Sequence, residues 1–286
     1  MNNLKTILSL IKYKVSIAVT FTAITGYIVY TRSFDINIIP LVFGVFLLAS
    51  GSSALNEFQE SEYDAKMPRT MQRPIPTGEL SPLNALIISV TFILSGLSVL
   101  YSFFDETTAL LGIFNVLWYN LLYTNLKRIT AFAVVPGSLV GAIPAFIGWT
   151  AAGGYVFNTT IVFIAFFMFI WQIPHFWLLM VKYGKEYEQA GFPTINQTMS
   201  PEGLKKIILV WIIATSVSSV MVPMFLQNIS LVFFIAIFIL NISFVAIFIK
   251  LSFGKVAELN FKQSFISINI YMMVFMMLLI VFHLTL

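Results

Sequence analysis

The sequence contains no cysteine. Disulfides and thiolate metal sites are therefore excluded, although the compartment is left open. Charge is almost as scarce. Asp, Glu, Lys and Arg make up 10% of the 286 residues, and 59% are hydrophobic. A soluble domain carries about a quarter charged residues. A chain this poor in charge cannot cover its apolar surface with a polar shell, so lipid must act as its solvent. In lipid the backbone must satisfy its own hydrogen bonds, which leaves helices or closed barrels. Barrel strands read as roughly ten-residue alternating segments. Here the apolar runs are long and continuous, which selects helices. No basic domain exists either: the net charge of +4 is spread over short loops, and nothing points to nucleic acid. A small-x-small cleavage site before Arg32 and an Arg- and Ser-rich transit segment are both missing. The first apolar run is therefore read as a span rather than a signal peptide, and the source as bacterial.

What is present is a series of apolar runs, each near the roughly 20 residues needed to cross a bilayer. Nine are expected: 15–31, 37–55, 82–102, 107–124, 131–150, 157–181, 204–226, 229–249 and 265–285. With the N-terminus in the cytoplasm, the inner side receives Lys5, Lys12, Lys14, Lys66, Arg69, Arg73, Lys127, Arg128, Lys182, Lys185, Lys205, Lys206, Lys250, Lys255 and Lys262. The outer side receives Arg32 alone. The positive-inside rule accepts this split, and one span more or fewer would scramble it. The C-terminus then lies outside. Two inner connections are long, 56–81 and 182–203, and both follow spans four helices apart. No linker or low-complexity tract interrupts 1–286, so the expectation is one membrane-embedded, all-α domain.

The first inner segment reads ALNEFQESEYDAKMPRTMQRPIPTGEL from Ala54 to Leu80. If the second span continues as helix, Asn56, Glu60 and Asp64 recur every four residues and share one stripe, while Glu57 and Glu62 point elsewhere. Two carboxylates and an amide oxygen suit Mg²⁺, a hard cation commonly completed by substrate phosphates. Pro68 ends the helix by pushing Met67 out of α geometry. Lys66, Arg69 and Arg73 follow, with Pro74 and Pro76 stiffening the loop. Fixed cations facing a carboxylate-bound metal are what a diphosphate needs. The plain alternative is a solvated face whose cations only set topology. It accounts for the charge, but not for a polar stripe growing out of an apolar span.

The sixth span ends FIWQIPHFWLLMVKYGKEYEQAGFP from Phe169 to Pro193. Trp171, Gln172, Pro174 and His175 interrupt an otherwise apolar helix, and intramembrane polar groups tend to face a cavity. Gln172 and His175, three apart, can share a face. A lone histidine is more often structural than a ligand, and only the local density of unusual residues brings the two readings level. Lys185, Glu186 and Tyr187 beyond it form either a second charged site or a solvated loop. Tyr123, Lys127 and Arg128 read as an interfacial anchor, and Gly137 and Gly141 as a helix-packing pair.

N-x-x-x-E-x-x-x-D followed by K-M-x-R-T-x-x-R-P resembles the first signature of the UbiA superfamily of intramembrane prenyltransferases. Y-T-x-L-K-R-x-T from Tyr123, P-G-x-x-x-G-A-x-P-x-x-x-G-W from Pro136, W-Q-x-P-H-F from Trp171 and E-Y-x-x-A-G-x-P from Glu186 are similar to its haem-farnesylating branch. The resemblance spans roughly residues 10–195 by motif. It departs at Glu60 and Glu186, where many relatives carry Asp, and at Lys12-Tyr13-Lys14, which lacks a proline. It implies nine helices around a central cavity and farnesyl transfer from farnesyl diphosphate to a vinyl group of haem B, with water added, giving haem O. It also implies Mg²⁺ on Asn56, Glu60, Asp64 and Glu186, with Lys66, Arg69 and Arg73 acting on the leaving diphosphate. Lys12, Tyr123, Lys127, Arg128, Gln172, His175, Lys185, Glu186 and Tyr187 become substrate-binding candidates, His175 as a contact to haem or its iron. A haem A synthase becomes a candidate partner. Two rivals stand beside this reading: a sister enzyme prenylating an aromatic quinone precursor, and a transporter with midplane polar residues.

Overall fold

The computed structural model describes residues 3–253 and 260–285. Lys255, one of the inner-side cations, lies outside them. The described chain is helical, without strands. A short helix α1 (Asn3–Leu10) leads into α2 (Tyr13–Thr31), α3 (Ile38–Asp64), α4 (Pro82–Phe103) and α5 (Glu106–Leu117). After them come α6 (Leu139–Ala151), α7 (Thr159–Gln189), α8 (Pro201–Met221), α9 (Leu231–Phe253) and α10 (Phe261–Leu284). Starts are written in the sequence. Ser81, Asp105, Asn158 and Ser200 each accept a hydrogen bond from a backbone N–H of the first turn, satisfying a donor the helix itself cannot. Pro82 and Pro201 occupy the first turn, where a missing N–H costs nothing.

Eight described helical segments are long and apolar enough to cross a membrane. The ninth expected span, 107–124, is α5. It continues through a π-helical segment (Trp118–Tyr123) to Thr124–Leu126, so its regular piece is only 12 residues long. The span at 131–150 is similarly compound, with a short lead (Ala131–Gly137) before α6. Helix α3 extends nine residues past the expected end of its span and carries the polar stripe with it. Helix α7 runs uninterrupted through Pro174.

Helices α2 and α6 cross in backbone contact. A Cβ on Gly26 would lie 2.1 Å from the Ala145 carbonyl oxygen, and one on Gly148 1.8 Å from that of Ala23. Helix α2 also packs on α3 and α10, so the first and last long helices meet. One apolar core joins α2, α3, α5 and α6 around Tyr27, Leu41 and Ile143. A larger one joins α6 to α10 around Phe167, Phe244 and Phe275. Between the two cores lies a cavity.

Candidate active site

The cavity holds about 1040 Å³ and is lined by residues from α2, α3, α5, α6, α7 and α10 and from the inner connections. Its walls are apolar over most of their length: Val19, Leu48, Ile147, Met168 and Met272 among others. Along α2 and α10 it reaches the surface of the bundle. Val15, Ile17 and Met273 line it and are yet 55%, 54% and 63% exposed on the bundle. The end formed by the connections after α3 and α5 is polar.

At that end the α3 stripe lies as the spacing predicts. Asn56, Glu60 and Asp64 line the cavity and are 3%, 3% and 1% exposed. Each of the three side chains is held by a cation from elsewhere in the chain. Lys12 Nζ donates to Asn56 Oδ1 at 2.8 Å. Lys127 Nζ lies 2.5 Å from Glu60 Oε1 and 2.6 Å from Oε2. Arg73 Nη1 donates to Asp64 Oδ2 at 2.5 Å. Arg69 is half of a bridge between the two inner segments: its backbone N–H donates to Glu186 Oε2 at 3.2 Å and its guanidinium to the Tyr187 hydroxyl at 3.1 Å. Met67, Ala190 and Phe192 pack beneath that bridge.

Lys12 sits in the break between α1 and α2 with φ 47°, a left-handed conformation that a lysine rarely adopts. That turn aims its ammonium at Asn56. Burial, and then the neighbouring Arg73, bring the Lys12 pKa down to about 7 against the opposing pull of Glu60 and Glu57. Burial also works against Lys127 and Arg73. There the carboxylates prevail, Glu60 for Lys127 and Asp64 for Arg73, and both pKa values are raised. Five cationic residues line the cavity (Lys12, Lys14, Arg69, Arg73, Lys127) against two carboxylates (Glu60, Asp64). This end is built for an anion carrying several charges.

The structure brings most of the expected residues together. Asn56, Glu60, Asp64, Arg69, Arg73, Lys12, Tyr123, Lys127, Gln172, His175 and Tyr187 all line the one cavity. Four stand apart from its wall. Lys66 is exposed and lies over the Tyr63 ring at 5.6 Å. Lys185 is exposed on the outer side of α7. Arg128 donates to the Gln59 carbonyl oxygen at 2.6 Å and stacks on Tyr63. Glu186 is engaged by the Arg69 amide, away from the stripe. Among the described residues no three His, Cys, Asp or Glu side chains cluster as a metal centre. The oxygen set of Asn56, Glu60 and Asp64 still fits Mg²⁺, because the cations now on those oxygens are the groups that phosphate oxygens would draw off.

Other residues carry the site without having been singled out. Asn120 in the π-helical segment accepts a hydrogen bond from Ser52 Oγ at 2.5 Å and donates to the Gln59 side chain at 3.2 Å. Thr124 accepts from Asn56 Nδ2 at 3.2 Å. The π turn thus registers α5 against α3, and π segments recur at functional sites. An asparagine inside an apolar run was the available signal. Glu57 is buried behind the stripe. Its oxygens have no hydrogen bond of ordinary geometry, and the Ile75 amide, Arg73 and Lys12 face it.

Gly137 and Gly141 are also different from expectation. They are seats for cavity side chains rather than a helix–helix contact. A Cβ on Gly137 would lie 2.5 Å from the Tyr123 ring, and one on Gly141 1.7 Å from Gln172 Oε1.

An all-helical membrane bundle with a basic, oxygen-lined pole and a lipid-open apolar cavity defines the class of intramembrane prenyl-transfer proteins. The chain belongs to the UbiA prenyltransferase family, whose description matches residues 18–282. It is 35% identical over 216 residues to a protoheme IX farnesyltransferase of Nitratidesulfovibrio vulgaris, covering 76% of this chain and 75% of that one. To the protoheme IX farnesyltransferase of Idiomarina loihiensis it is 30% identical over 276 residues, 96% and 92% of the two chains. Solved structures share the fold at low identity. A digeranylgeranylglyceryl phosphate synthase matches with TM-score 0.79 and 18% identity over 100% of both chains. A UbiA homologue from Archaeoglobus fulgidus bound to GPP and Mg²⁺ matches with TM-score 0.73 and 14% identity, over 98% of this chain and 100% of that one.

Proposed function

We propose that this protein transfers the farnesyl group of farnesyl diphosphate to a vinyl carbon of haem B, with addition of water, giving haem O. The observation that carries the prenyl-transfer part is the pairing of Asn56, Glu60 and Asp64 with Lys12, Lys127 and Arg73 at one pole of an apolar cavity. The haem acceptor is supported by relatives that are themselves protoheme IX farnesyltransferases.

In this reading Asn56, Glu60 and Asp64 hold Mg²⁺, which supplies Lewis-acid neutralisation of the diphosphate. Glu186, whose Oε2 accepts from the Arg69 amide, joins them through its carboxylate. Lys12, Lys127, Arg69 and Arg73 turn to the phosphate oxygens and stabilise the charge that develops as the C–O bond breaks. The side along α2 and α10 admits both apolar substrates from the bilayer. Tyr123, Phe176 and Trp171 shield the allylic cation from early capture by water. Gln172 and His175 face the acceptor. The chain acts as one domain in a bacterial cytoplasmic membrane, N-terminus inside and C-terminus outside, and a haem A synthase takes the product.

The test is transfer by the purified full-length protein in lipid nanodiscs, with farnesyl diphosphate, Mg²⁺ and either haem B or an aromatic quinone precursor. Mass spectrometry should find farnesylated haem. Prenylated aromatic acid with unchanged haem would select the sister activity.

A further inference from the structure

We propose that His175 is the general base that takes a proton from the water added to the acceptor. This inference rests on the haem-farnesylation reading above. In that reaction the farnesyl C1–O bond breaks and the diphosphate leaves with the electron pair. The terminal vinyl carbon bonds to C1, and positive charge moves to the vinyl carbon beside the porphyrin ring. A water oxygen bonds there, and one of its protons must go to a base. Nothing is oxidised or reduced.

The cavity offers few such bases. Glu60 and Asp64 are engaged by Lys127 and Arg73. The other charged lining residues, Lys12 among them, are basic groups that turn to the diphosphate in this reading, and the tyrosine hydroxyls of Tyr119, Tyr123 and Tyr187 are poor proton acceptors. His175 is the one imidazole among the lining residues. Its Nδ1 is buried and has no hydrogen-bond partner. The other histidine, His283, is committed elsewhere, with Nδ1 2.8 Å from the Leu279 carbonyl oxygen. Three rings wall His175 in: Trp171 at 4.9 Å, Phe265 at 5.0 Å and Phe176 at 5.8 Å between centroids. These rings hold the imidazole in place and leave it no acidic partner.

Its position suits the step. Phe176 stacks on Tyr123 at 6.1 Å, and the Tyr123 ring lies 5.9 Å from Lys127 Nζ, which holds Glu60. His175 therefore stands two aromatic rings, Phe176 and Tyr123, from the pole where the diphosphate, and so the farnesyl C1, is held. Gln172, three residues earlier on the same helix face, also lines the cavity and supplies an amide to hold the water.

The experiment uses the full chain in nanodiscs with haem B, farnesyl diphosphate and Mg²⁺ in ¹⁸O-labelled water. It follows diphosphate release and the mass of the haem product. Wild type should give farnesylated haem with a labelled hydroxyl. His175→Gln should keep diphosphate release, while hydroxylated product falls about 100-fold, the scale of a lost general base. A farnesylated haem one water lighter, formed when the methylene bonded to C1 gives a proton from the cation to the departed diphosphate, should replace it. Imidazole added to His175→Ala should restore the hydroxyl. Undiminished hydroxylation in His175→Gln would overturn the proposal, passing the proton to the released diphosphate. So would a changed haem B absorbance with hydroxylation intact, which makes His175 an iron ligand. Equal loss of release and hydroxylation without imidazole rescue would reduce it to a packing residue. Wild type that makes no farnesylated haem at all would overturn the acceptor assignment, and the base assignment only with it.

Discussion

Gly141 allows the sharpest calculation. A methyl group there would meet the Gln172 side chain at three atoms: Oε1 at 1.7 Å, Cδ at 2.6 Å and Nε2 at 2.8 Å. Ordinary contact begins at 3.4 Å, so in Gly141→Ala the amide oxygen must retreat by about 1.7 Å, the difference between the two distances. A misplacement on the order of 1 Å in a group that orients a reactant costs about 100-fold in rate, or ~2.7 kcal/mol. Prenyl diphosphate binding should stay unchanged, because Gly141 and Gln172 touch none of the cation–carboxylate pairs. The assay is kcat/KM for haem beside the Kd of farnesyl diphosphate, measured in a double-mutant cycle. Gln172→Ala removes the three nearest clashing atoms, so adding Gly141→Ala to it should change nothing further. Losses that simply add, or a weakened diphosphate, would refute the reasoning.

Three further outcomes are expected. Asp64→Asn should lower turnover by about 10²–10³-fold, the usual loss when a preplaced electrostatic group is removed, with no recovery at high Mg²⁺. It also removes the charge paired with Arg73, so thermal unfolding should show a loss of about 3 kcal/mol. Lys12 is charged below a pKa of about 7 and neutral above it, so kcat/KM for farnesyl diphosphate should fall as pH rises through that value. Lys12→Arg keeps its charge and should flatten the profile between about pH 6 and 9; an unchanged profile would remove Lys12 from the site. Lys66→Ala and Lys185→Ala, both exposed and off the cavity wall, should leave kcat/KM within about twofold and stability within about 0.5 kcal/mol.

The spans were legible because each apolar run ends in polar residues and turn formers. The polar stripe was legible because Asn56, Glu60 and Asp64 recur at helical spacing, which is local information. What lay beyond reading was the pairing between distant segments. Nothing in the run around Lys12 says that a left-handed turn aims it at Asn56, 44 positions on. The π segment of α5 is equally silent, since its residues would also suit a regular helix. Lys66, Arg128, Lys185 and Glu186 show the limit of charge as a guide: it reports the side of the membrane a residue occupies, not the direction of its side chain. Gly137 and Gly141 were read as helix packing because spacing alone cannot tell a helix partner from the ring of Tyr123 or the amide of Gln172.

Haem farnesylation is tested most directly on the haem itself. Haem extracted from membranes of a host lacking its own haem-farnesylating enzyme, with and without this protein, should differ by one hydroxyethylfarnesyl haem. That species should fall by about 100-fold or more with Asp64→Asn while the protein remains in the membrane. An unchanged haem profile with wild-type protein present, or a product undiminished in Asp64→Asn, would contradict it.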